Sequence, residues 1–246
     1  MSFTIRRPLS GNMLKWIAAL FMVIDHVGYI FFPGKAIFRI LGRLSFPIFA
    51  FMIAEGCRYT KHKIRYFLSV FLLAFVCQVA YYITERSLFM CVLVTFSLSI
   101  LTIYAMQHMK DTFCSGKASV AAKLLSAFIL IGVMVFVYVV NLFVEIDYGF
   151  AGCMLPVFAA LPSTPRKDAP QRWLKFDTLT VRILFLGVGL VFLALSRTTK
   201  PFWSLLSLPF LFLYSGKRGK RNMKYFFYVF YPLHLLLLEG LHILLK

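Results

Sequence analysis

Acidic residues are scarce in this sequence. Nine Asp and Glu stand against 27 Lys and Arg in 246 residues, and charged residues of both signs make up only 15%. A soluble domain carries roughly a quarter charged and about half apolar residues. Here 61% are hydrophobic and the mean hydropathy is +0.81. A folded particle of this size has no interior large enough to hide that much Phe, Leu, Ile and Val from water. The composition therefore excludes a soluble single domain, a disordered chain and a disulfide-stapled secreted module.

Cysteine is thin as well. Cys57, Cys77, Cys91, Cys114 and Cys153 form no CxxC pair and have no close His in sequence, so they read as small buried hydrophobes rather than a metal site or a disulfide framework. Missing too are GxGxxG, a Walker loop, HExxH and GxSxG, which leaves nucleotide hydrolysis and zinc proteolysis without support. The chain shows no internal repeat and no low-complexity segment, and residues 1–246 read as a single transmembrane domain. The first apolar run, from Met13, is long enough to span and lacks a small-residue cleavage site after it, so no cleavable signal peptide is expected.

What is present is a series of apolar runs. A spanning helix needs roughly 20 mostly apolar residues, and that length test predicts an all-α, polytopic bundle of about nine spans. They cover 13–32, 37–56, 65–84, 88–108, 119–143, 150–163, 179–196, 201–215 and 224–244, the sixth and eighth being short enough to be tilted, re-entrant or interfacial. The cations punctuate these runs. Arg6, Arg7 and Lys15 precede or open the first; Arg58, Lys61, Lys63 and Arg65 follow the second; Lys110, Lys117 and Lys123 follow the fourth. Arg166, Lys167, Arg172 and Lys175 follow the sixth, within the polar stretch 163–178, and Lys217, Arg218, Lys220, Arg221 and Lys224 precede the last. All of these segments fall on one side, which the positive-inside rule makes cytoplasmic. The N-terminus is expected inside and the C-terminus outside. Most of the net charge of +18 is thus orientation signal and contact with anionic lipid headgroups. A nucleic-acid reading needs a basic face on a water-soluble fold and does not apply. A minority of the cations suits a phosphorylated ligand at the cytoplasmic mouth.

Ionisable groups at membrane depth are costly and mark function by default. In MVIDHVGYIFFP, His26 lies eleven residues past Lys15, about 16 Å deeper along a helix and so near the midplane. Its imidazole suits proton transfer near neutral pH. Asp25 points about 100° away and suits a different partner, such as an arginine. In FRILGRLSFPIFAFMIAEG, Arg39 and Arg43 share one helical face. Arg39 fits snorkelling to the outer interface, whereas Arg43 is deeper and needs an anion, for which Asp25 is the obvious candidate. Pro47 frees a carbonyl beside them. Glu55 fits two readings equally: a substrate contact, or an interfacial carboxylate near Arg58. In the last run, His234 lies ten residues past Lys224, at matching depth, with Tyr231 one turn before it. Asp147 and Tyr148 open the sixth span from outside, where Asp147 suits a helix cap or an outer vestibule for an acceptor substrate.

The run LKWIAALFMVIDHVGYIFFP, then FRILGRLSFPIFAFMIAEGCRYTKH, resembles the TraX family of membrane proteins. So do DYGFAGCMLPVF and LYSGKRGKRNMKYFFYVFYPLHLLLL. The match keeps its order over roughly 13–84 and 147–240 and weakens between; the IDH, GRxxFPIFAF and FYPLHL elements carry its specificity together. The namesake of that family acetylates the amino terminus of F-type conjugative pilin, and the family is grouped with multispan acyltransferases that draw an acyl group from cytosolic acyl-CoA. The resemblance implies a bacterial inner-membrane acyltransferase with acetyl-CoA as donor and His26 as the catalytic histidine. Asp25, Arg43, His234 and Tyr231 would surround the chemistry, with Arg39, Glu55, Asp147 and Tyr148 toward the substrates. Lys217, Arg218, Lys220 and Arg221, or Lys61 and Lys63, would hold the phosphates of CoA. The acceptor implied is a glycan, a lipid or a peptide such as pilin. The alternative is a proton-coupled transporter, which buried Asp, His, Arg and Glu also suit, although no repeated half with matching interrupted helices is visible.

Overall fold

Long apolar runs that must satisfy their own backbone in lipid fold as helices, and the computed structural model of the chain describes them as such. It describes residues 7–164, 169–196, 202–220 and 223–245. In chain order the helices are α1 (Gly11–Phe31), α2 (Ala36–Gly42), α3 (Ser45–Tyr59), α4 (Lys63–Glu85), α5 (Val92–Cys114) and α6 (Val120–Phe143). Then follow α7 (Gly149–Ala160), α8 (Gln171–Phe176), α9 (Leu179–Ser196), a 3-10 stretch (Phe202–Ser207), α10 (Leu208–Phe212) and α11 (Lys224–Leu244). Among the described residues, six segments are long and apolar enough to cross a membrane: Gly11–Phe31, Ala36–Tyr59, Lys63–Ile83, Val92–Cys114, Val120–Phe143 and Leu179–Ser196. Gly149–Ala160, Phe202–Phe212 and Val229–Leu244 are shorter apolar helices. The protein is an all-α, multi-pass membrane protein, and its span count rests on how those three short segments are placed.

Three boundaries differ from the expectation for physical reasons. The second run is two helices: the ring of Pro47, in the first turn of α3, conflicts with the carbonyl of Arg43 four residues back, and the chain turns at Arg43–Leu44. The fourth run starts later and ends later than 88–108, because residues before Val92 are held extended. There Met90 bridges to Ile146, and the Gln78 side chain donates to the Phe89 carbonyl (2.9 Å) and accepts from the Cys91 amide (3.2 Å). The eighth run is a 3-10 turn followed by a single α-helical turn.

The chain divides into two compact units, Met1–Met52 with Thr199–Lys246, and Ile53–Thr198. In the first, α1 packs on α2 and α11. Its buried stripe reads Leu14, Ala18 and Met22, at successive i+4 positions, and the partly exposed Asp25 lies one turn further along. Leu9 bridges to Tyr214, and the first amides of α1 are used by the segment before α11: Gly11 donates to the Lys217 carbonyl (2.8 Å) and Asn12 to the Arg218 carbonyl (3.0 Å). Two segments expected on the cytoplasmic side are thereby joined.

In the second unit, α5 packs on α4, α6 and α7, and α7 on α9. Leu98, Val137, Ile146, Cys153 and Met154 form an apolar cluster there. Ser99 ties α5 to α7 by donating to the Cys153 carbonyl (2.8 Å), the kind of small hydroxyl link that joins helices in lipid. α7 is buried on nearly every face, which explains why a helix of twelve residues is apolar all round. The C-terminal end of α7 is capped by Lys110 of α5, whose ammonium donates to the carbonyls of Leu161, Ser163 (3.1 Å) and Ala160 (3.5 Å). A cation at a helix C-terminus is favoured by the partial negative charge there.

Candidate active site

The first unit gathers the ionisable residues of α1, α2 and α11. Adjacent residues diverge by about 100° on a helix, and Asp25 and His26 do turn to different partners. Arg39 of α2 donates from Nη1 to Oδ2 of Asp25 at 3.0 Å. The other oxygen, Oδ1, is buried against the bare backbone of Gly42, where a Cβ would lie only 2.2 Å away. Gly28 of α1 is equally tight, since a Cβ there would meet the Cβ of Phe38 at 2.1 Å. Two glycines, one on each helix, therefore let α1 and α2 approach closely enough for the Asp25–Arg39 pair to form.

This corrects two expectations. Arg39 does not simply snorkel: it is the direct partner of Asp25, and its guanidinium also lies over the Tyr29 ring (5.8 Å to the centroid). Arg43, expected to hold Asp25, is the residue after the last turn of α2, where the chain bends into α3, and the hydrogen bond described at that carboxylate comes from Arg39 instead. The Arg43 amide still donates to the Arg39 carbonyl (3.1 Å), and the chain turns only after it, at Arg43–Leu44.

His26 turns to α11. Its ring and that of His234 meet edge to face, with centroids 5.1 Å apart and Nδ1 of His26 3.4 Å from Nε2 of His234. Each Nδ1 also lies against the carbonyl one turn back on its own helix, Met22 at 2.9 Å for His26 and Phe230 at 3.0 Å for His234. His234 is buried, stacked on Phe230 (5.2 Å, 8° between planes) and approached edge-on by Tyr231 (5.8 Å). The two histidines chosen for their matching depth are thus neighbours, and Tyr231 borders them.

At the head of the same α1 lies the basic loop. Lys217, Arg218 and Lys220 fall within the described residues, while Arg221 lies outside them. Arg218 is close enough to Lys15 for their charges to interact, and Lys15 also lies over the Phe227 ring (5.8 Å). Because the loop's carbonyls already take the Gly11 and Asn12 amides, an anion at this mouth would be held by side chains rather than by the helix N-terminus.

The remaining expected site residues belong to the second unit. Glu55 is buried and ion-paired with Arg182 of α9, and its charge also acts on Arg58, as its place in the sequence suggested. Arg58 donates to both oxygens of Asp177 (2.6 Å to Oδ2) and to Ser163 (2.7 Å), and Asp177 also accepts from the Thr164 amide (2.9 Å). Nε of Arg182 lies 3.7 Å from Asp177, which closes a network of two carboxylates and two guanidiniums. Arg182 and Asp177 were not singled out from the sequence. Arg182 sits inside an apolar run, so the rule that pointed to His26 would have found it; Asp177 lies in a polar stretch and gave no signal. The cap of α7 is Tyr148, held at φ 61°, rather than Asp147. Asp147 donates its amide to Met90 (2.9 Å) and accepts at its carbonyl from Thr95 (2.7 Å). Lys61 lies in the turn between α3 and α4, and Lys63 opens α4 with its ammonium over the Tyr104 ring (5.4 Å).

This is an α-helical membrane bundle in which α1 sets a histidine against one of α11 and a partly buried aspartate against an arginine of α2, with a basic loop at its head. The profile of the TraX family, described as TraX protein, matches residues 10–242. The chain belongs to that family. An uncharacterized protein of Rickettsia prowazekii (strain Madrid E) is 39% identical over 54 residues, which is 22% of this chain and 21% of that relative's own length. No solved structure matches.

Proposed function

We propose that the protein is a membrane-embedded acyltransferase that takes an acetyl group from cytosolic acetyl-CoA and passes it to an amine or hydroxyl acceptor at or across the inner membrane of a bacterium. The observation that carries this reading is the His26–His234 contact, on a helix whose cytoplasmic head meets a cluster of cations. A donor with a phosphorylated end and a reactive end joined by a long arm suits that arrangement. From Lys15 to His26 the helix rises about 16 Å, so one end of such a donor meets Lys217, Arg218 and Lys220 while the thioester reaches the histidines.

In the reaction, His26 takes the proton of the acceptor N–H or O–H as its electron pair attacks the thioester carbonyl. The carbon–sulfur bond breaks, and the thiolate of CoA recovers the proton from His26. The Arg39 guanidinium holds Asp25 and, together with Arg43, offsets negative charge on that carboxylate or on the developing oxyanion. Tyr231 borders the histidine pair and orients the reacting groups. The acceptor fits the classes glycan, lipid headgroup or peptide, pilin among them.

The test is to supply radiolabelled acetyl-CoA to the purified protein in liposomes with membrane glycans, lipids and peptides as acceptors. Release of CoA with label on an acceptor is expected, and His26→Ala should abolish both while the protein still inserts. Full activity in that variant sinks the assignment. Accumulation of a solute driven by a proton gradient, with no CoA release, would favour the transporter reading instead.

A further inference from the structure

Hydrogen bonds to carbonyls fix which ring nitrogens carry protons, because a carbonyl oxygen only accepts. Nδ1 of His26 faces the Met22 carbonyl and Nδ1 of His234 faces the Phe230 carbonyl, so both Nδ1 atoms hold hydrogen. In a neutral imidazole the other nitrogen then carries a lone pair. For His234 that atom, Nε2, is the one lying 3.4 Å from Nδ1 of His26. The Nδ1–H of His26 is shared between the Met22 carbonyl and the His234 lone pair, and the Nε2 of His26 is left as the basic atom.

We propose that His26 and His234 work as a one-proton pair, in which His26 is held as the Nδ1–H tautomer with Nε2 as the base, and His234 is the positioning residue whose Nε2 lone pair receives that Nδ1–H as charge develops. The catalytic consequence rests on the acyl-transfer reading; the proton arrangement does not. When the acceptor's proton arrives on Nε2 of His26, the ring becomes an imidazolium whose Nδ1–H is a stronger donor. The His234 contact then shortens into a charge-assisted bond. Two imidazolium rings at that separation in a low-dielectric bundle would repel strongly, so the pair holds one positive charge between them. The proton leaves from the atom on which it came, to the CoA thiolate, and His234 ends unchanged. The stack on Phe230 and the edge contact from Tyr231 keep the His234 ring from turning its lone pair away.

The experiment has two arms on the full chain in lipid. In the first, histidine-selective 15N labelling reports protonation at each ring nitrogen, with His26 and His234 assigned through single His→Asn variants. Both residues should show protonated Nδ1 and unprotonated Nε2. An Nε2–H tautomer for His26 overturns the proposal without bearing on acyl transfer. In the second arm, His234→Gln, whose side-chain oxygen can take the place of Nε2 as acceptor, should keep kcat within about tenfold of the native protein, whereas His234→Leu should lower it about a hundredfold with the acetyl-CoA KM unchanged. Equal losses in the two variants would overturn the positioning role. A native protein that shows the expected tautomers but turns over no acetyl-CoA would instead sink the acyl-transfer reading.

Discussion

Asp25 is fitted against Gly42: a methyl group at that glycine would lie 2.2 Å from Oδ1 and 2.3 Å from Cβ of the aspartate. That is far inside van der Waals contact, and the helix backbone behind the glycine leaves the methyl nowhere to go. Gly42→Ala is therefore expected to push Asp25 away from Arg39, destabilising the protein by about 1–3 kcal/mol, the usual cost of overpacking. Thermal unfolding in detergent checks it. A native melting temperature in Gly42→Ala would show that α1 and α2 part freely at this point.

The choice of Arg39 over Arg43 gives a second expectation. A double-mutant cycle between Asp25→Asn and Arg39→Gln should return a coupling of about 1 kcal/mol, as expected for a hydrogen-bonded pair that is only partly buried. The matching cycle between Asp25 and Arg43 should give less than about 0.5 kcal/mol. Reversed magnitudes would place Arg43, as the spacing in the sequence suggested, at the carboxylate.

Glu55 and Arg182 carry a third. Both side chains are nearly inaccessible (6% and 7% exposed), and removing one partner strands the other as a buried charge. Glu55→Leu or Arg182→Leu alone should cost about 3–5 kcal/mol, while the double replacement should recover much of the loss, since buried ion pairs are often replaceable by apolar residues of similar size. Denaturant titration of the reconstituted protein reads both numbers. Additive losses in the double variant would mean that Glu55 and Arg182 stabilise the bundle through other partners.

These residues also show how far the sequence could be read. Composition and run length gave the all-α membrane class, since lipid leaves the backbone few other options. The same-side loops were legible too: the cations around residues 7–15 and 217–220 come together because α1 and the segment before α11 share backbone hydrogen bonds. Matching depth from flanking lysines was enough to pair His26 with His234. The choice of Arg39 was not legible, because it depends on how closely two helices approach, which two glycines, Gly28 and Gly42, set; neither glycine is distinguished by spacing. Neither leaves a signal in hydropathy. Glu55 was ambiguous because its partner lies 127 residues away, and no local pattern reports such a distance.

The basic loop supplies the last prediction. If Lys217, Arg218 and Lys220 bind the phosphates of CoA, their contribution is made in binding and is equal in ground and transition states. Removing it should raise KM without lowering kcat. The triple change of Lys217, Arg218 and Lys220 to Gln is thus expected to raise the acetyl-CoA KM by about tenfold or more, since each exposed charge pair is worth up to about 1 kcal/mol. It should also flatten the salt dependence, because screening acts on the same charges. The backbone carbonyls of Lys217 and Arg218 still receive the Gly11 and Asn12 amides in that variant, so the loop keeps its place and the comparison isolates charge from fold. Initial rates at several ionic strengths check it. A fall in kcat at unchanged KM would show that these side chains act on the chemistry, and an unaltered salt response would move the phosphate site elsewhere, with Lys61 and Lys63 the next pair to replace.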